Sequence, residues 1–209
     1  IDVLSEMPAA WRLALRRWHA INAPLRRTIE REHGHAHWPS AEDEYLFYQT
    51  LLGVWPAKAM SPEEAESFRD RMLAYMLKAT KEAKVHTSWV NPNEGYDRAV
   101  HNFVCAVLDC KPTNLFLKDF STLQRKTAFY GRLNGLAQVL LKLTVPGIPD
   151  IYQGTELWDY SLVDPDNRRT VDYERRQQIL EELKSEVERA GQDLVALARR
   201  LLESSADGR

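Results

Sequence analysis

Apolar side chains recur at three- and four-residue intervals along most of this 209-residue chain, while the strict alternation of a half-buried strand is almost absent. That periodicity restricts the chain to helices, and start signals divide it. Pro8 stands at a first-turn position ahead of Trp11, Leu15, Trp18 and His19, which share one face. Ser40, with Asp43 three residues on, opens a second helix through Tyr45, Leu46, Tyr48, Gln49 and Leu52, stopped near Gly53 and Pro56. Ser61-Pro62-Glu63-Glu64 is a capping box with proline at the first helical position, followed by the stripe Phe68, Met72, Tyr75, Met76 and Ala79. Asn91-Pro92-Asn93-Glu94 repeats the logic for a fourth helix through Tyr96, Val100, Phe103, Val104, Val107 and Leu108.

A long fifth helix is expected from about Thr113 to Leu143, with Phe116, Phe120, Leu123, Thr127, Tyr130, Leu133, Ala137, Leu140 and Leu141 in register. Gly131 and Gly135, four apart, are expected to admit another backbone, each costing roughly 1 kcal/mol against alanine. Asp172 begins a sixth helix with Ile179, Leu180, Leu183 and Val187. Gly191 separates it from a last one bearing Leu194, Leu197, Ala198 and Leu201. The predicted fold class is all-α, with about seven helices.

One segment breaks the pattern. Val145-Pro146-Gly147-Ile148-Pro149-Asp150-Ile151 is apolar but cut by prolines and a glycine, and it leads into Tyr152-Gln153-Gly154-Thr155-Glu156. That is the composition of a short buried strand whose carboxyl end delivers polar side chains to a site. Beyond it, Asp164-Pro165-Asp166-Asn167-Arg168-Arg169 gathers two carboxylates, an amide and two guanidiniums. Such a loop suits polyhydroxylated ligands, because Asp accepts from vicinal hydroxyls while Arg donates in a fixed fork.

This pair of motifs resembles the last barrel strand and following loop of the α-amylase clan, and within it the maltooligosyltrehalose synthase family. Two further stretches carry the same resemblance: Glu42-Asp43-Glu44-Tyr45-Leu46-Phe47-Tyr48-Gln49-Thr50-Leu51-Leu52-Gly53, and Lys84-Val85-His86-Thr87-Ser88-Trp89-Val90-Asn91-Pro92-Asn93-Glu94. The resemblance runs from about residue 40 to 173. Thr170 departs from it, where the family pattern implies proline after the paired arginines.

The resemblance implies three regions: a helical subdomain over 1–143, the last strand of a (β/α)8 barrel with its site loop over 144–173, and C-terminal helices over 174–209. It implies that Asp164, Asn167 and Arg168 contact the glucosyl hydroxyls of a maltooligosaccharide. Tyr152 and Glu156 would stand at the strand end, and His86 and Trp89 would offer an imidazole and a stacking indole. The implied activity converts the reducing-end α-1,4 linkage to α,α-1,1 by intramolecular transglucosylation. Retention requires two carboxylates roughly 5 to 5.5 Å apart, as nucleophile and acid/base. The family carries them on earlier barrel strands, and none of their motifs occurs here, so no catalytic residue can be assigned. Ile1 is not an initiator methionine, and the chain is expected to be an internal piece of a longer protein. Its barrel strand would then lack neighbours, lie as extended loop, and favour either the rest of the barrel or self-association.

Plainer readings stand beside these. Trp89 could fill an interhelical core while Thr87 or Ser88 caps a helix, since Trp is mostly buried wherever it occurs. Arg168 could pair with Asp164 or Asp166, Asn167 could cap a turn, and Glu156 could serve an arginine. Glu32-His33-Gly34-His35-Ala36-His37 lacks the spacing and downstream ligands of a zinc site and reads as a solvated loop. A net charge of -2 gives no basic footprint for nucleic acid. No apolar run approaches the roughly 18 residues that span a bilayer. No cofactor motif occurs. Cys105 and Cys110 lie five apart on a helix, so their side chains diverge, and reduced thiols suit a cytoplasmic location. A non-catalytic helical interaction domain, or a piece of another clan hydrolase or transglucosidase, would share much of this pattern.

Overall fold

A computed structural model describes residues 1–33, 38–163 and 166–205, apart from the side chains of His33 and Asn167. The described residues are all-helical. After a 3-10 turn over Asp2–Glu6 come α1 (Pro8–Ile21), α2 (Ala23–His33), α3 (Ala41–Val54), α4 (Pro62–Ala83), α5 (Glu94–Val107), α6 (Leu115–Thr144), α7 (Tyr173–Ala190) and α8 (Leu194–Glu203). The chain divides into two compact units, Ile1–Gly131 and Arg132–Arg209, with α6 running through the division. No helix among the described residues is long and apolar enough to cross a membrane.

The start signals act as their chemistry requires. The Ser40 hydroxyl accepts from the Asp43 N–H at 3.2 Å. The Ser61 hydroxyl accepts from the Glu64 N–H, and the Glu64 carboxylate accepts from the Ser61 N–H at 2.7 Å, closing the capping box. Asn93, rather than Asn91, caps α5 by accepting from the Tyr96 N–H. Asp172 and Asp193 cap α7 and α8 in the same way.

Among the described residues eight α-helices form where about seven are predicted, and the addition is α2. Its sequence offers only Leu25 and Ile29 as large apolar residues, four apart, so periodicity is weak. Ile29 is nonetheless buried, and α2 packs on α5. Tertiary contact makes this helix, not its own pattern. In α3 the buried face is rotated from the predicted one: Glu44, Phe47, Tyr48, Leu51 and Leu52 point inward, while Tyr45 is exposed.

The core of the first unit is aromatic. Trp18 has 0% exposure and stands edge-on to Trp11, Tyr48 and Phe116, with ring centroids 5.4 to 5.6 Å apart. Tyr48 stacks on Phe116 at 5.4 Å, and Phe47 meets Phe103 edge-on at 5.7 Å. Such pairs add about 0.5–1.5 kcal/mol each beyond area burial. The buried indole N–H of Trp18 donates to Asp119 Oδ2 at 2.8 Å, and Asp119 also receives Arg17 through two nitrogens. The ring is thereby satisfied at its one polar atom.

The second unit is thinly covered. Its buried apolar residues include Leu162, Ile179 and Leu197. Along α6, Leu136, Val139, Leu140, Leu141 and Leu143 are exposed, as are Leu180 and Val187 on α7. The segment 145–151 forms no strand, and Ile148 is 98% exposed. The Val145 N–H still donates to the Leu141 carbonyl at 2.9 Å, as a continuation of α6. Gly135 lies under the Trp158 ring, where an added Cβ would sit 3.2 Å from a ring carbon. Gly131 has nothing within 4 Å. The expected pair of close backbone approaches is thus replaced by one close side-chain approach.

Trp18→Ala should destabilise the first unit by about 3–5 kcal/mol through cavity formation. Trp18→Phe, which keeps a six-membered ring but loses the N–H to Asp119 and part of the indole's volume, should cost less, about 1–3 kcal/mol. Urea unfolding of both variants checks the order, and equal losses would mean that the hydrogen bond rather than the packing dominates.

Candidate functional site

Two places gather the predicted residues, one in each unit. In the second, the chain leaves the extended segment through a tight turn in which the Thr155 hydroxyl and N–H both donate to the Tyr152 carbonyl, at 2.6 and 3.3 Å. Gly154 closes this turn at φ +86, and an added Cβ would sit 3.1 Å from Val171, so only glycine fits on both counts. Arg176, on the first turn of α7, spans the region. It donates to the Gly154 carbonyl at 2.6 Å, to Glu156 Oε2 at 2.9 Å and to the Asp172 carbonyl at 3.0 Å. The guanidinium beside Glu156 holds its carboxyl below the usual range. Glu156 is thus engaged by an arginine, and Tyr152 is exposed.

The acidic–basic loop is organised by Asp166. Its carboxylate accepts from the Leu162 N–H at 2.7 Å and pairs with Arg169 at 3.3 Å. Arg169 also donates to the Asp166 carbonyl and the Ser161 hydroxyl. Arg169 thus helps to build this turn. Arg168 ends a short 3-10 turn over Asp166–Arg168 and is exposed. Asp164 and the side chain of Asn167 lie outside the described residues, as does the histidine-rich stretch from the His33 side chain to His37.

In the first unit, the loop between α4 and α5 carries His86 and Trp89. Trp89 is 58% exposed, with the Lys81 ammonium 4.8 Å from its ring centre, so it is a surface residue rather than core. Thr87 is the buried member, and its hydroxyl accepts from the Asn93 N–H at 3.0 Å. His86 stacks on Tyr96 at 4.6 Å with the planes 28° apart. The Tyr96 hydroxyl donates to Asp43 and accepts from the Ser40 N–H, and burial with that carboxylate pushes its pKa up.

His86 also borders a cleft of about 570 Å³ whose floor holds Glu44, 3% exposed. Glu44 Oε1 accepts from Arg26 at 2.6 Å and from the Tyr48 hydroxyl at 2.7 Å, while His19 Nδ1 lies 2.8 Å from Oε2. Asn22 donates to the Tyr48 hydroxyl at 2.7 Å. Burial first, then the Glu44 charge, raise the Tyr48 pKa, so this hydroxyl stays a donor. Sequence reading missed this network because its members come from three helices. The visible signal was slight: Glu44 closes the acidic run Glu42-Asp43-Glu44, four residues before Tyr48 on the same helix face.

No family model matches the chain. The chain is homologous to one segment of a larger carbohydrate-processing enzyme. That enzyme is maltooligosyl trehalose synthase. Two proteins provisionally so named, from Mycobacterium tuberculosis strains CDC 1551 and H37Rv, are each 39% identical over 183 residues. The match takes in 88% of this chain, which spans about 21% of those relatives' length. A crystal structure of maltooligosyl trehalose synthase superposes with a TM-score of 0.77 at 34% identity, over 99% of this chain and 24% of that one.

Arg176→Ala should return the Glu156 pKa toward its ordinary value and loosen the Gly154 turn. Because the folded pKa of Glu156 is depressed, its contribution to stability is present above the unfolded carboxylate pKa and is lost as pH falls through the folded value. Titration of the Glu156 side chain by NMR checks this, and an unchanged midpoint in Arg176→Ala would remove Arg176 as the cause.

Proposed function

We propose that this chain is the part of a maltooligosyl trehalose synthase that supplies a helical unit, the last barrel strand and its sugar-facing loop. The parent protein would convert the reducing-end α-1,4 linkage of a maltooligosaccharide to α,α-1,1 by intramolecular transglucosylation, a glucosylmutase reaction of the isomerase class. The observation that carries this reading is the match over 88% of the chain at 39% identity. The uncovered apolar residues of α6 and of 145–151 support it, because a parallel barrel strand takes its backbone partners from neighbours on both sides. The remaining barrel would be their partner, and in the isolated chain the same surface would favour self-association.

In this reading the chain brings no catalytic carboxylate and no cofactor. Asp164, Asn167 and Arg168 contact glucosyl hydroxyls, and Tyr152 borders the same loop. Glu156, gripped by Arg176, positions the turn rather than a sugar. Asp166 pairs with Arg169, and the preceding arginine, Arg168, is exposed. His86 and Trp89 offer an imidazole and an exposed ring for a glucan. The parent acts in the cytoplasm.

The 209-residue chain alone should release no glucose and form no trehalose-ended product from maltopentaose, because the paired carboxylates are elsewhere. Product above buffer that disappears on heating would overturn the assignment of catalysis to the rest of the parent.

In the full-length parent, Arg168→Ala should lower kcat/KM about tenfold to a hundredfold with little change in melting temperature. A hydrogen bond to a charged group contributes about 1.5–3 kcal/mol. Early melting with unchanged kinetics would make Arg168 a structural residue.

A further inference from the structure

The cleft that begins at His86 extends well beyond the residues singled out from sequence, and its chemistry is specific enough to name a ligand class. Its volume of about 570 Å³ lies within the range of small-molecule sites, roughly 300–1,000 Å³. It contains no residue of the 145–169 segment.

Its lining carries charges of both signs. Glu30, Glu42 and Glu44 bring three carboxylates to the lining, and Arg26 and Arg27 bring two guanidiniums. His19 and His86 add imidazoles that donate or accept according to protonation. An anionic ligand would meet the three carboxylates, and a cation would meet the two guanidiniums. A neutral ligand rich in hydroxyls meets neither penalty, since each hydroxyl both donates to carboxylates and accepts from guanidiniums. No group of three His, Cys, Asp or Glu among the described residues is arranged to hold a metal ion.

The cleft is also rigid and partly aromatic. Trp38 lies edge-on to Tyr96 with centroids 5.2 Å apart, and His86 stacks on the same Tyr96 ring. Two flat rings of the lining are thus braced by one buried tyrosine, whose hydroxyl is itself fixed by Ser40 and Asp43. On the floor, Arg26 is held by Glu44 and by the His19 carbonyl at 2.9 Å. Donors and acceptors fixed before the ligand arrives lower the ordering cost of binding.

We propose that this cleft, whose lining includes no residue of 145–169, binds the neutral, polyhydroxylated chain of an α-glucan. Trp38 and His86 offer flat faces to sugar rings, and Glu42 and Arg27 at the exposed rim take hydroxyls. The choice of an α-glucan over another polyol rests on the synthase reading.

The test is an NMR titration of the full 209-residue chain with maltopentaose, following the Trp38 indole and the His19 and His86 imidazoles. The expected result is saturable shifts at these groups, with inorganic phosphate at equal concentration giving none. Trp38→Ala and the exposed substitution Glu42→Gln should each weaken binding at least fivefold. Should Trp38→Ala fail to fold, Glu42→Gln decides alone, at unchanged melting temperature. No saturable shift, shifts confined to 145–169, equal shifts with phosphate, or wild-type affinity in Glu42→Gln would each overturn the proposal. Trehalose-ended product from the full-length parent is measured separately. An active parent with a silent cleft sinks this site alone, and a responsive cleft in an inactive parent sinks the synthase reading alone.

Discussion

A tryptophan with no exposed surface imposes a condition on everything around it, because its indole N–H must find an acceptor or cost a few kcal/mol. Trp18 meets that condition with Asp119, and in doing so it joins α1 to the first turns of α6. Its ring faces then bring Tyr48 from α3 and Phe116 and Phe120 from α6 into one aromatic cluster. Once these three helices are fixed, the inward face of α3 is fixed too. Glu44 then falls inside, one turn before Tyr48.

A buried carboxylate is tolerated only when its charge is paired and its lone pairs are filled. Arg26, Tyr48 and His19 fill them, and these partners come from α1, α2 and α3. This explains why α2 exists as a helix despite its polar sequence: it holds Arg26 at the floor and Ile29 in the core. The cleft above Glu44 is a consequence of the same network, since its floor cannot collapse without stranding a charge.

The second unit follows the opposite logic. Hydrogen bonds to Arg176 and Asp166 hold its loops, while much of its apolar surface meets water. The chain spans about a fifth of its relatives' length. Arg176 holds the turn at 152–156, and Asp166 ties Leu162 to Arg169. Local hydrogen bonding preserves local geometry even where packing is missing.

By itself the sequence determined whatever depends on a few consecutive residues. The Ser40, Ser61 and Asp172 caps and the helices behind them all follow from local chemistry. Partner choice did not. Whether Glu156 takes an arginine, whether Trp89 is core or surface, and whether Gly131 or Gly135 is the crowded glycine depend on side chains from other elements. The same holds for the rotated face of α3 and for α2. In each case two or more local arrangements satisfy the sequence pattern equally. What chose among them was burial: a charge or ring removed from water accepts only the arrangement that supplies all its partners at once, and those partners are set by the tertiary fold.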